Sequence, residues 1–358
     1  MSRLRYLTAL AAIVALATAL AACGDGGGGG PQSVVDDATL EGIESANVDL
    51  SLQVKAPGKE GGNLDVEASG PFQSEGEGEI PQLDLTATAK GNIDDSRIDF
   101  DGGLVLLPAG ENAYVDYDGV TYKVDPTTYA FLKGTLKERQ REAGADADSE
   151  EAAACQEAFG EIEVGDFIEE ASSEANADVG GTSTTKVSGE LDVAGALEEL
   201  VELTESPACA AQLSAVGDQL PSQAEIDEAR DEVEEGVKSA KVDIYVGDDD
   251  IVRRVVAQLT IEPEGDGDGP KRMDIAFDLT LTGVNEEQEI AAPQGRTKPL
   301  SDLFIELGVN PLELIGLLQG EEGTGLEELL EGLEKGGGGN KGLGELFEGL
   351  EGLGGNAR

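Results

Sequence analysis

Histidine and tryptophan are absent from the 358 residues, aromatics make up 4%, and 24 lysines and arginines stand against 74 aspartates and glutamates. Without histidine the chain lacks the commonest general base, the Ser-His and Cys-His nucleophile pairs and the usual zinc ligand. The formal charge of −50 excludes the basic footprint of a nucleic-acid binder, and it makes an anionic bilayer repel the body of the protein. No nucleic-acid partner is expected, nor a cofactor, a metal or an enzymatic activity. Scarce aromatics leave few of the large side chains that fill a wide core. Cysteine is scarce too, at three residues.

What is present begins at the N-terminus. Arg3 and Arg5 precede a largely apolar run from Leu7 to Leu20, the layout of a secretion signal and too short for the ~20 residues of a membrane-spanning helix. Its end, Leu20-Ala21-Ala22-Cys23, resembles the lipobox of bacterial lipoproteins. That resemblance implies cleavage before Cys23 and acylation of its sulfur by a diacylglyceryl group carrying chains of the palmitate kind. Two acyl chains anchor a protein stably where one holds it marginally, each buried methylene contributing ~0.8 kcal/mol. The alternative is ordinary cleavage after Ala21, because Ala19-Leu20-Ala21 also fits an A-x-A site. Gly24 to Gly30 reads as a flexible tether. The expected layout is a signal peptide over 1–22, a lipidated cysteine and tether over 23–32, one domain over 33–300 and an acidic Leu/Glu/Gly-rich tail over 301–358. The expected location is the extracytoplasmic face of the cell membrane.

Between Val48 and about Thr282 the dominant signal has period two. Val48, Leu50, Leu52 and Val54 alternate with polar residues, as do Leu64, Val66 and Ala68, and Met273, Ile275, Phe277, Leu279 and Leu281. The pattern recurs at 83–89, 98–106, 186–193, 242–246 and 251–261, and in 113–117 and 120–124, joined by Asp118-Gly119 as a tight hairpin. Strands of this kind with short connections predict an antiparallel meander. A block of helix formers interrupts it, over 127–143, 149–159, 167–175, 194–203, 207–216 and 222–239, with Asp125-Pro126 and Ser206-Pro207 as start signals. After Pro299 short leucine stripes recur among glutamate and glycine, at Leu326 to Leu333 and Leu343 to Leu350. They read either as an unstructured acidic tail or as segments that dock on the domain or on a protein partner.

The phrases AYVDYDGVTYKVDP (113–126), TSTTKVSGELDV (182–193), VDIYVGDDDIVRRVVAQLTI (242–261) and EIAAPQG (289–295) resemble the mycobacterial and actinobacterial lipoprotein family that includes LppX and LprG. The resemblance covers roughly residues 33–300 and occurs in the family's order. It implies an α+β fold, a curved antiparallel half-barrel with helices over its concave face, similar to the LolA-like carriers that shuttle lipoproteins. It further implies an apolar cavity for acylated lipid. Leu50, Leu52, Leu85, Phe100, Leu259, Phe277 and Leu279 are the candidates to line it, with plain core packing as the alternative for each. The acidic insert at 146–151 and the tail after Leu300 depart from the family. A lipid-binding lipoprotein is therefore the leading expectation, and a surface lipoprotein that contacts a partner through its acidic helices or tail is the second.

Other motifs are weaker. Ser183 and Lys186 fit S-x-x-K without its companion motifs. The acidic groups at Asp146, Asp148, Glu150 and Glu151, and at Asp248, Asp249, Asp250, Asp266 and Asp268, lack calcium-loop spacing. Setting Cys23 aside leaves Cys155 and Cys209, which in an exported chain are expected to bond, with two buried free thiols as the alternative. The loop between them gives roughly 4 kcal/mol in the chain-entropy model. Cys209→Ser is thus expected to lower the urea-unfolding free energy by up to about 4 kcal/mol. Equal stability of the two proteins under oxidising conditions refutes the bond.

Overall fold

The computed structural model describes residues 30–307, apart from 59–60, 77–78, 94–95, 132, 135–163, 197, 200–208, 210–235 and 263–269. The fold is α+β: a large twelve-stranded mixed sheet with few helices. Contacts divide the chain into two compact units, one made of residues 1–43, 49–63 and 143–284, the other of 44–48, 64–142 and 285–358.

In the first unit, β7 (Ile168–Val179), β8 (Thr182–Leu191), β9 (Val237–Gly247), β10 (Val252–Ile261) and β11 (Met273–Thr282) pair antiparallel in chain order. Their register places Val187 opposite Ile244, Ile244 opposite Val255, and Val255 opposite Leu279. One step along, Val242, Ala257 and Phe277 align, then Ala240, Leu259 and Ile275. This is the dry face that the alternation predicts. Most of β1 (Ser45–Ala56) also belongs to this unit.

The opposite face is polar. Lys186, Tyr245 and Arg254 stand side by side on β8, β9 and β10. Arg254 donates to Asp278 at 3.0 and 2.6 Å, and Lys186 Nζ lies 2.9 Å from Asp243. Both cations sit 5.6 Å from the Tyr245 ring centre.

α1 (Pro31–Asp36) follows the expected tether, with proline at its first turn. Val35 is wholly buried with Val164, Ile168, Val187 and Ile244. Asp36 accepts a hydrogen bond from the Gly165 amide at 2.7 Å, and Gln32 Nε2 donates to the Ile168 carbonyl. Just beyond, Thr39 exchanges backbone hydrogen bonds with Asp250 and Val252. Residues 31–39 are thereby clamped to the sheet.

The second unit holds most of β2 (Gly62–Gln73), with β3 (Gln82–Ile93), β4 (Ser96–Leu107), β5 (Asn112–Tyr117) and β6 (Val120–Lys123) in chain order. Asp118 and Gly119 have φ of 49° and 73°, the left-handed pair that a two-residue hairpin of this twist requires. Asp125 accepts from the amides of Thr127 and Thr128, each at 3.0 Å, and so caps the helical residues 126–131. That hydrogen bonding, led by the Thr128 hydroxyl, holds the Asp125 carboxyl below the usual aspartate range. β12 (Lys298–Pro299) then pairs parallel with β6 and opens into α2 (Leu300–Glu306).

Two expectations are corrected. Residues 168–175 are not helical: a 3-10 turn ends at Phe167 and Ile168 onward is β7, at the end of the strand order. Its register slips between Glu169 and Ser172 and between Glu174 and Ala177, with φ of 50° at Glu170 and 61° at Asn176. Two bulges break the period-two phase, which is why the sequence hides the strand. Likewise residues 237–239 belong to β9 and not to a helix. Of the other expected helices, 126–131 and 193–196 are helical. Segments 149–159, most of 207–216 and 222–235 lie outside the described residues, so the expected helical cover of the sheet is not described as a whole. Among the described residues no helix is long and apolar enough to cross a membrane.

A Cβ at Gly165 would stand 2.6 Å from Asp36 Oδ1 and 2.7 Å from the Gln32 carbonyl oxygen. Gly165→Ala must push α1 off the sheet and is expected to cost about 1–3 kcal/mol. Urea unfolding measures this cost, and hydrogen exchange at the amides of Val35 and Ala38 should accelerate.

Candidate functional site

The seven sequence candidates fall into two groups, described unit by unit. In the first unit Leu259 is buried in a cluster with Ala240, Ile261, Met273 and Ile275, and Leu52 and Phe277 pack against it half-buried. Leu279 stands opposite Val255, and Leu50 lies on β1; both are half-buried. In the second unit Leu85 faces Leu104 across β3 and β4, and Phe100 faces Ala89. Cys23 and Cys155 lie outside the described residues, while Cys209 is fully buried.

The dry face of the second unit has two halves. Leu83 pairs with Leu106 and Leu85 with Leu104 on β3 and β4; Leu104 then pairs with Val115 and Leu106 with Ala113 on β5. At the β5–β6 end, Leu300 and Leu303 of α2 and Tyr129 of the helical residues 126–131 close over Ala113, Tyr122 and Val124. Tyr122 is 1% exposed there and donates to Glu306 at 2.7 Å. Burial first, then that bond, pushes its hydroxyl up to about 12. Lys298 bonds the same carboxylate at 2.8 Å, and together these bonds hold Glu306 below the usual range.

At the β3–β4 end the cover thins. Leu104 is 38% exposed, and Leu83, Leu85 and Phe100 are only half-buried. Gly102 makes the strip smooth: a Cβ there would stand 2.6 Å from Phe100 Cζ, so the ring lies across the glycine, with its centre 6.4 Å from that of Tyr117. The glycine pair Gly102-Gly103 inside a strand pattern was the legible signal of close approach. Leu83, Leu104 and Leu106 complete the strip, although sequence reasoning did not single them out.

Tyr129 was not foreseen either. It is 4% exposed, and its hydroxyl has no hydrogen-bond partner. Burial raises its pKa, aided by the carboxylates of Glu111 and Glu75.

The S-x-x-K reading fails on geometry. Ser183 and Lys186 are three apart on β8, so they point to opposite faces, and Lys186 is engaged by Asp243. Ser183 lines an open polar hollow of about 350 Å³ with Thr182, Asp248, Asp249 and Arg253. The Arg253 guanidinium there is already bonded to Asp249 at 2.6 Å and to the Ile251 carbonyl. Among the described residues no group of three or more Asp, Glu or Cys is set to hold a metal.

With that geometry in place, the chain is similar to lipoproteins of the LppX/LprG type. The structure of LprF from Mycobacterium bovis matches at 13% identity, over 74% of this chain and 97% of that one, with a TM-score of 0.30. The structure of the lipoprotein LppX from Mycobacterium tuberculosis matches at 11% identity, over 70% and 91%, with a TM-score of 0.21. At these values the likeness assigns neither a ligand nor an activity to this chain. No family model and no curated protein matches it.

On the reverse of the strip, burial raises the pKa of Asp84, aided by the charge of Asp116. A carboxyl raised above its unfolded value stabilises the fold only while protonated, and that contribution is lost as pH rises through the folded pKa. Asp84→Asn should therefore raise the melting temperature at pH 7, with the gain shrinking as pH falls through the folded pKa of Asp84. Melting curves at pH 4 and 7 measure it; an equal shift at both pH values contradicts the assignment.

Proposed function

We propose that this chain is a lipid-anchored cell-envelope protein whose apolar sheet face holds the acyl chains of a lipid. The observation that carries the reading is the half-covered strip of the second unit, where Leu104 is 38% exposed beside half-buried Leu83, Leu85 and Phe100. Apolar surface left open to water costs ~25 cal/mol per Å², so a hydrocarbon chain laid along such a strip gains what the fold leaves unused. In this reading Cys23 carries the anchor, residues 24–32 the tether, and 33–300 the lipid-binding domain, extended by α2, which completes the second unit's core. In the same reading Cys155 and Cys209 form a disulfide, as two cysteines of an exported chain would. No catalytic step is assigned.

A second reading, a lipoprotein that contacts a protein partner, is favoured by Ile305, which is 70% exposed on α2 where the tail begins.

The test is to replace Cys23 with alanine, purify the secreted protein without detergent from an actinobacterial host, extract it with organic solvent and run mass spectrometry. Stoichiometric diacyl or triacyl lipid is expected. An empty extract from folded protein refutes the carrier reading. In that case deletion of residues 308–358 abolishing a pull-down supports the partner reading.

A further inference from the structure

Tyr129 is the one residue, among those described, with a buried side-chain polar atom that lacks a hydrogen-bond partner. Leaving a hydroxyl buried and unpaired costs ~1–3 kcal/mol. Its neighbour Tyr122, in the same cluster, has its hydroxyl satisfied by Glu306.

Position gives the orphan a meaning. The cluster that holds Tyr129 includes Ala113, and Leu106 packs against it. Leu106 stands opposite Leu83 on the same face as the Leu85–Leu104 pair. Tyr129 therefore belongs where the covered half of the dry face meets the half-covered one.

The charges around the hydroxyl narrow the choice of ligand. Those that act on it are the carboxylates of Glu111 and Glu75, the latter held by Gln82 Nε2 at 2.7 Å. A phenol carries its proton at neutral pH and so offers a donor, and a negatively charged head brought to it would meet these two carboxylates. What fits is a neutral acceptor attached to a hydrocarbon.

We infer that the Tyr129 hydroxyl donates a hydrogen bond to the ester or amide carbonyl of an acyl lipid whose chain lies along Leu83, Leu85, Leu104 and Leu106, and that the site prefers uncharged acyl esters to free fatty acids. This rests on the lipid-binding reading and adds to it a polar contact and a ligand class.

The test uses the full chain carrying Cys23→Ala, stripped of lipid on a hydrophobic resin, with and without Tyr129→Phe. The probes are a pyrene-labelled monoacylglycerol, a pyrene-labelled fatty acid and a pyrene-labelled alkane of equal length. With Tyr129 present, the ester should bind more tightly than the acid. Tyr129→Phe should weaken the ester about 3- to 10-fold, the range of one net hydrogen bond, and leave the alkane unchanged. Lipid-free Tyr129→Phe should also melt at a higher temperature, because the unpaired hydroxyl is gone, and should lose most of the extra melting shift that the ester gives. Unchanged ester affinity, or an equal loss for ester and alkane, overturns the inference while leaving lipid binding in place. Failure of the Tyr129 protein to bind any probe overturns the lipid-binding reading as well.

Discussion

A sheet that is apolar on one face cannot leave that face in water, and how each dry face is covered decides everything else in this structure. In the first unit α1 does part of the covering, with Val35 buried against Val164, Ile168, Val187 and Ile244. In the second unit the cover comes from chain far away in sequence: α2 lays Leu300 and Leu303 over the Ala113–Tyr122–Val124 end of the strip. A seven-residue helix is too short to be stable alone, so its packing on β6 and the Tyr122–Glu306–Lys298 bonds hold it in place. Its length also sets its limit, for it reaches the β5–β6 end and leaves Leu104 partly exposed.

The polar face answers a different constraint. With 24 basic residues against 74 acids, each cation has carboxylates to choose from. The pairs are mostly half-exposed, as at Arg254 with Asp278 and Lys186 with Asp243, and such pairs contribute under ~1 kcal/mol each. Their value lies in register. A one-residue slip of β9 would send Tyr245 into the dry face and Ile244 into water, and it would separate Tyr245 from the two cations that flank it. At the end of the strand order, β7 is guarded by the same acidity. Two bulges and exposed Glu169, Glu170 and Glu174 make it a poor template for another strand.

Strands with unbroken alternation were legible in the sequence, and β11 is the clearest: its large apolar residues Met273, Ile275, Phe277, Leu279 and Leu281 fall on one face. β7 was not, because two bulges reset the phase and its composition, rich in Glu, Ala and Ser, suits a helix equally well. The Asp118-Gly119 turn and the Asp125-Pro126 helix start were readable because both depend on local backbone chemistry alone. The site was legible only in outline. Leu85 and Leu106 look alike in a period-two pattern, yet Leu106 packs on the covered cluster and Leu85 does not, because the residues that separate them lie near position 300. Tyr129 had no signal of its own, since an unpaired hydroxyl is a property of its surroundings.

A bare apolar strip accepts any hydrocarbon, because transfer out of water is proportional to area and indifferent to identity. Discrimination requires a buried polar group that the wrong ligand leaves unpaired, since that penalty is larger than the gain from one more methylene. The charges that act on Tyr129 are carboxylates, and the nearby Lys298 is already bonded to Glu306, so selectivity in the proposed site would run through neutral hydrogen bonding and repulsion of anions. In the proposed site Tyr129 would supply the donor, and the carboxylates of Glu75 and Glu111 would disfavour an anionic head. Under the proposal made above, the acidity of the chain would favour ligands whose polar head carries no charge.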